Sequence, residues 1–325
     1  MIHPKIKNKW DEDICLMLSV DNYKKQFLCD CGMASELTAG DCTKVEAVFV
    51  SHTHIDHFSN FDALIRHQLG LGNTLLVCGP EGIQRNVQGK LNGYLWNLIE
   101  PGSLAFEVRE IVSEHQVNCY KLEPPHWEIQ ALGSKDGPIY KNKMLAVQFA
   151  ILDHGTPSIA YLFEEITRLK VRPTPYEPGP WVGALKRAFQ NHQPDTLLEI
   201  PDHHIKAGAL FEYLYEQPGY KLAYVMDHLA SAENHEKIMN LCRDVDNLII
   251  ETYYRDIDRG FAEKNFHSTA KASGTIARLV GAKHTFFVHH SRRYSNEIED
   301  LLEEARAAYE DREPVFRHQV IARFD

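Results

Sequence analysis

Ser51-His52-Thr53-His54-Ile55-Asp56-His57 sets three imidazoles and one carboxylate within six residues, in the pattern H-x-H-x-D-H. Neutral imidazole is the commonest metal-ligating side chain, and a carboxylate adds charge and an oxygen that can bridge two ions. His52 and His54, two apart, can converge on one ion. Asp56 and His57, adjacent in a turn, can reach a second ion beside it. Packing does not account for four ligand-type side chains in one short stretch, so the spacing points to two metals.

Such ligands need a rigid platform. Residues 45–50 (VEAVFV) read as a strand running into the motif. Residues 15–20 and 26–30 read as two more strands around a polar turn, and Asp30-Cys31-Gly32 ends the second. After the motif, Ser59 is expected to cap a helix with Asp62 three residues on, and Phe61, Leu64, Ile65 and Leu69 form its apolar stripe. Further strands are expected at 74–80, 104–108, 118–122, 127–132, 144–152, 158–165, 222–226, 247–250 and 284–288. Helices are expected at 271–280 and about 296–310, with a last strand near 315–323. His115, His126, His203 and His204 lack a ligand partner at useful spacing and are expected at the surface or in packing.

The chain has 325 residues, 44% apolar and 25% charged, which is ordinary for a globular protein. A net charge of −10 excludes a globally basic nucleic-acid binder, so contact with nucleic acid would need a local patch. One such stretch exists. Arg168, Lys170, Arg172, Lys186 and Arg187 bracket the proline-rich and aromatic run 173–181. It reads either as a solvated connection or as a platform for a phosphate-bearing substrate. Seven scattered cysteines, an odd number, argue for free thiols and a cytoplasmic protein. Cys29 and Cys31, with no second pair nearby, are expected to be packing thiols. The first residues carry no apolar core, so no signal peptide is expected, and no run is long enough to span a membrane.

The H-x-H-x-D-H motif resembles the signature of the metallo-β-lactamase fold superfamily. Within it, four stretches are similar to the ribonuclease Z branch, the tRNA 3′-processing endonucleases. They are Asp153-His154-Gly155 followed by Tyr161-Leu162-Phe163-Glu164; Pro178-Gly179-Pro180 with Gly183 and Leu185-Lys186; Glu251-Thr252-Tyr253; and the pair Phe266-His267-Ser268-Thr269-Ala270 and His289-His290-Ser291-Arg292-Arg293-Tyr294. The resemblance implies an α/β fold, a four-layer αββα sandwich of two mixed sheets. It implies a single domain over 1–325 with a substrate-contacting arm at about 166–220. It also implies three further ligands, each just after a strand, and His154, Asp227 and His289 each close an apolar run.

The expected set is therefore His52, His54 and His154 on one ion, Asp56, His57 and His289 on the other, and Asp227 bridging. The ions would be zinc, with manganese or iron as substitutes. Asp30 would brace the metal loop from behind. The sequence departs from the family pattern where Met33-Ala34-Ser35 follows Gly32 and where His228 follows Asp227. Those departures bear on the substrate more than on the metals.

The leading expectation is a binuclear phosphodiesterase in which a metal-bridging hydroxide attacks phosphorus. Asp56 would orient or deprotonate the water. His267, held by Glu251, would protonate the leaving oxygen or stabilise its charge. Arg168, Lys170, Arg172 and Arg292 are candidate substrate contacts. The substrate would be an RNA, as in tRNA processing, or a small molecule. A homodimer is an assembly the reading allows, and a membrane partner is not expected. The alternatives are a small-molecule hydrolase acting on a lactone, thioester or cyclic phosphodiester, and a non-hydrolytic member of the fold.

Overall fold

The computed structural model describes residues 1–316, and the part of the strand expected near 315–323 that follows Phe316 lies outside them. The chain divides into two compact units, residues 1–164 with 220–325, and Glu165–Gly219.

In the first unit, eight strands follow one another across a sheet in chain order. They are β1 (Ile2–Ile6), β2 (Leu16–Val20), β3 (Gln26–Cys29), β4 (Val45–Phe49), β5 (Asn73–Pro80), β6 (Leu104–Ser113), β7 (Gln116–Leu122) and β8 (Gln130–Lys135). The run from β3 to β6 is parallel and the outer pairs are antiparallel. After β9 (Tyr140–Lys141), β10 (Leu145–Asp153) and β11 (Pro157–Glu165), the chain passes through the second unit. There it forms the two-stranded pairs β12 (Arg168–Val171) with β15 (Leu214–Gln217), and β13 (Leu197–Ile200) with β14 (His203–Lys206). It returns as β16 (Lys221–Val225), β17 (Asn247–Glu251) and β18 (His284–Val288). The second sheet has the order β18-β17-β16-β11-β10-β9, with β16, β17 and β18 parallel.

Side chains two apart on a strand share a face, and that alternation builds the layers. On β4, Ala47 and Phe49 point to the same core as Leu145, Ile159, Tyr161, Phe163, Leu222 and Tyr224 of the other sheet. Val48 and Val50, joined by Val45 because the register shifts between Val45 and Ala47, instead meet Phe61, Leu64 and Ile65 of the helix Phe61–Gln68 and Ile83, Val87 and Leu91 of the helix Ile83–Asn92. On β16 and β17, Ala223, Val225, Leu248 and Ile250 turn outward to Ile238 of Ala232–Leu241 and Ile276 of Ala270–Leu279. Two sheets face to face, each with helices outside, make the αββα sandwich. Between them Phe49 meets Tyr161 at 5.4 Å and Phe163 at 4.9 Å edge-to-face, a geometry worth about 0.5–1.5 kcal/mol per pair beyond area.

Three local expectations are corrected. Ser59 caps no helix by its side chain: it closes the turn Ile55–Phe58, and Asn60 precedes Phe61–Gln68. Trp127 is not on a strand. It sits at φ +53 with its ring buried against Trp96 and Phe106, and the strand begins at Gln130. His203 and His204 lie on β14 opposite Ile200 and Glu199, not in a turn, although both are exposed. His115 and His126 are exposed, and Cys29 and Cys31 are buried free thiols.

The second unit has its own core of Trp181, Leu185, Ala188, Leu198, Ile200, Ala207 and Leu210, with Trp181, Leu185 and Ala188 on the helix Trp181–Gln190.

Candidate metal centre

Parallel strands end at a common edge, and side chains just beyond those ends converge. His52, His54, Asp56 and His57 follow β4, His154 follows β10, Asp227 follows β16 and His289 follows β18. All seven belong to the first unit. His52, His54, His154 and Asp227 have ligand atoms within 4.8 Å of one another, as do Asp56, His57 and His289. Asp227 stands between the two groups. Its Oδ2 is 3.7 Å from His52 Nε2, 3.6 Å from His154 Nε2 and 3.4 Å from His57 Nε2, and its Oδ1 is 3.1 Å from His289 Nε2. Asp56 Oδ2 lies 3.6 Å from His57 Nε2 and 3.8 Å from His289 Nε2.

Nε2 of His52, His57 and His289 and Oδ1 of Asp227 are buried without a hydrogen-bond partner among the described residues. One such orphan costs about 1–3 kcal/mol. Divalent cations among these atoms would satisfy all four, and the mixed nitrogen and oxygen set suits such ions. The cluster fits the binding of divalent metal.

The candidate ligands are held from behind. Asp30 Oδ1 accepts from the Ser51 amide at 2.7 Å, and its Oδ2 accepts from Ser51 Oγ at 2.7 Å and the Tyr224 hydroxyl at 2.7 Å. The same Oδ2 lies 2.8 Å from His57 Nδ1, which leaves Nε2 turned to the centre. His154 Nδ1 lies 2.6 Å from the Phe266 carbonyl oxygen and so donates to it. Gly32 is required by contact: a Cβ there would meet the Asp56 carbonyl oxygen at 2.0 Å. Asp30, Phe266 and His289 all hold left-handed φ, at 52°, 58° and 55°. Such conformations cost about 1–3 kcal/mol and cluster where backbone must present a side chain or carbonyl.

Burial, with His57 alongside, drives the basicity of His52 far down, and burial also lowers His154, so both are neutral donors. Burial opposes a proton on His57 too, but the Asp227 and Asp30 carboxylates outweigh it and raise that imidazole well above the usual range. Burial likewise opposes the charge on Asp227, yet His289 and His57 hold it far below the usual carboxylate range.

Beside the cluster, His267 Nδ1 meets Glu251 Oε2 at 2.9 Å and lies 3.9 Å from Asp227 Oδ2. Glu251 Oε1 accepts from the amides of His228 at 2.6 Å and Ser268 at 3.3 Å. Burial opposes its charge, but His267 and His228 hold the Glu251 carboxyl down at about 2. Burial also opposes a proton on His267, and Glu251 outweighs it and raises the imidazole. Asp227, Glu251 and His267 form a third group of metal-type side chains, but Nδ1 of His267 is already engaged by Glu251.

The remaining candidates are four basic residues. Arg292 is exposed and bonds Asp13 at 3.4 Å. Arg168 and Lys170 lie on β12, with Arg172 just after it stacked over Tyr215 at 5.7 Å. Within the second unit Lys170, Arg172, Tyr176, Glu177, Trp181 and Lys186 contribute to the walls of a cavity of about 570 Å³. Ser51, Tyr224, Tyr253 and the Phe266 carbonyl were not singled out from sequence. Ser51 directly precedes the motif, and Tyr224 is a buried phenol three residues before Asp227. Those were the only local signals.

No family model matches the chain. Ribonuclease Z of Deinococcus radiodurans is 27% identical over 325 residues, covering 95% of this chain and 96% of that protein. Ribonuclease Z of Brevibacillus brevis is 28% identical over 307 residues, covering 88% and 83%. Among solved structures, the metallo-β-lactamase fold protein YhfI of Bacillus subtilis aligns with a TM-score of 0.58 at 14% identity, over 94% of this chain and 92% of that one. The short form of human tRNase Z aligns with a TM-score of 0.55 at 15% identity, over 90% and 94%. The αββα layers, the histidines and aspartates at the strand ends and these likenesses agree: the chain has the metallo-β-lactamase fold, and over most of its length its sequence is similar to ribonuclease Z.

Proposed function

We propose that the chain is a two-metal phosphodiesterase acting on RNA, with tRNA precursors as the substrate class. The observation that carries this is the His267–Glu251 pair set against a seven-residue ligand cluster that shares Asp227. His52, His54 and His154 would hold one ion and Asp56, His57 and His289 the other, with Asp227 between; zinc suits the donors best, with manganese or iron as substitutes. When bound, such a pair supplies an activated water and positive charge for the phosphoryl oxygens. Asp56 orients that water and takes its proton. Glu251 holds Nδ1 of His267, so Nε2 is the atom left to deliver a proton to the departing oxygen. The cations and aromatic rings of the second unit would grip the RNA backbone. Seven unpaired cysteines suit the cytoplasm. No described helix is long and apolar enough to cross a membrane. A homodimer is compatible with the reading.

The test is His267→Ala, assayed on a diester with an alkoxide leaving group and on one with nitrophenolate. The alkoxide diester is expected to lose about 10²–10⁴-fold and the nitrophenolate diester far less, with metal content unchanged. Equal small losses on both would remove the general-acid role. A lactone, assayed in parallel with a precursor tRNA, should be the poorer substrate. The reverse order would favour a small-molecule hydrolase.

A further inference from the structure

Glu251 fixes one edge of the His267 ring, but a single bond at one edge leaves an imidazole free to tilt about that bond. Something must hold its face. Tyr253, two residues after Glu251, lies flat on it, with ring centroids 3.8 Å apart and planes within 3°. The other rings around His267 meet it at an angle: His154 at 4.8 Å and 62°, Tyr254 at 5.9 Å and 66°, and His289 at 6.2 Å and 49°. Tyr253 is itself anchored. Its carbonyl accepts from the Ser291 amide at 3.1 Å, and its ring packs on Tyr254 at 5.0 Å and on the candidate ligand His289 at 5.2 Å. Its hydroxyl makes no hydrogen bond among the described residues, so the ring is the part that the fold employs.

We propose that Tyr253 is a positioning residue for His267, its ring setting the plane of the imidazole so that Nε2 is presented to the leaving oxygen. This rests on the reading of His267 as the proton donor. Proton delivery depends on direction, and a displacement of about 1 Å near reacting atoms can cost about 10²-fold.

The experiment compares Tyr253→Phe and Tyr253→Leu in the metal-loaded enzyme, on the alkoxide and nitrophenolate diesters. Phe keeps the ring and should stay within about 2-fold of the parent, while Leu should lose about 10-fold or more in kcat on the alkoxide diester alone. KM and metal content should not change. If Phe and Leu behave alike, or if Leu loses equally on both diesters, the proposal is wrong.

A second readout needs no catalysis. In ¹⁵N-histidine-labelled, metal-free protein, the Nδ1 proton resonance of His267, identified by its loss in His267→Asn, should persist in Phe and broaden in Leu. An unchanged resonance in Leu overturns the clamp. If the resonance broadens in Leu while His267→Ala shows no leaving-group dependence, the clamp stands and the proton-donor reading falls.

Discussion

Replacing Asp30 with asparagine tests how the fold prepares His57 for a metal. The carboxylate faces four partners: the Ser51 amide on Oδ1, and Ser51 Oγ, the Tyr224 hydroxyl and His57 Nδ1 on Oδ2. The Ser51 amide can only donate, so the asparagine carbonyl must take the Oδ1 place and its NH₂ the other. Both hydroxyls can rotate to accept from that NH₂. His57 can accept only by moving its own proton from Nδ1 to Nε2, which blocks the atom that faces Asp227 at 3.4 Å. Disturbing a group behind a ligand typically lowers metal affinity by about 10–100-fold, and this tautomer change argues for the upper end at the second ion. Bonds to a charged acceptor are worth about 1.5–3 kcal/mol against about 1 for neutral ones. All four bonds lose the charged acceptor, and the change should therefore cost about 4 kcal/mol of folding stability. Tyr224→Phe removes one of the bonds and leaves the tautomer alone, so it should cost about 1 kcal/mol with affinity nearly unchanged. Chelator competition with zinc and urea unfolding read the two quantities. Asp30→Asn binding both ions as tightly as the parent would refute the tautomer argument.

Two further outcomes follow from other parts of the chain. Asp41 Oδ2 is held by Lys7 Nζ at 2.8 Å; burial opposes its charge, but Lys7 and Thr38 outweigh it and hold the carboxyl at about 2, below its unfolded value of 3.8. A depressed carboxyl stabilises above its unfolded pKa and loses that contribution as pH falls toward the folded one. Asp41→Asn should thus cost about 2 kcal/mol at pH 7 in urea unfolding and much less near pH 2, and a pH-independent cost would contradict the ion pair's role. Charge reversal at Arg168, Lys170 and Arg172 should weaken RNA binding and flatten its salt dependence, by about 0.7 in log–log slope per lost phosphate contact on single strands, while small diesters are cleaved as before. Unchanged RNA affinity would remove the second unit from substrate binding.

The first four members of the cluster were legible because they are neighbours in sequence and no packing pattern requires them. His154, Asp227 and His289 were legible only as strand ends joined to a resemblance, since parallel strands gather distant residues at one edge. Ser51 and Tyr224 escaped because a hydroxyl that bonds a carboxylate 21 or 194 residues away looks like any buried serine or tyrosine. Tyr253 escaped for the same reason, as nothing in sequence separates a stacked ring from a packed one. Ser59 misled because the Asp56-His57 turn already takes the form of a short helix that ends on it. The segment 166–220 read as a bare connection or platform because its apolar residues are dispersed, yet Trp181, Leu198 and Leu210 meet in a core of their own.

The central claim, catalysis by two metal ions held among seven residues, is met most directly by metal titration. Metal-free protein is mixed with increasing zinc, and hydrolysis of a nitrophenyl phosphodiester is followed. The account predicts negligible activity without metal and a rise that breaks at about two equivalents per chain, as expected of a two-metal site. A plateau at one equivalent, or activity undiminished in the metal-free protein, would contradict it.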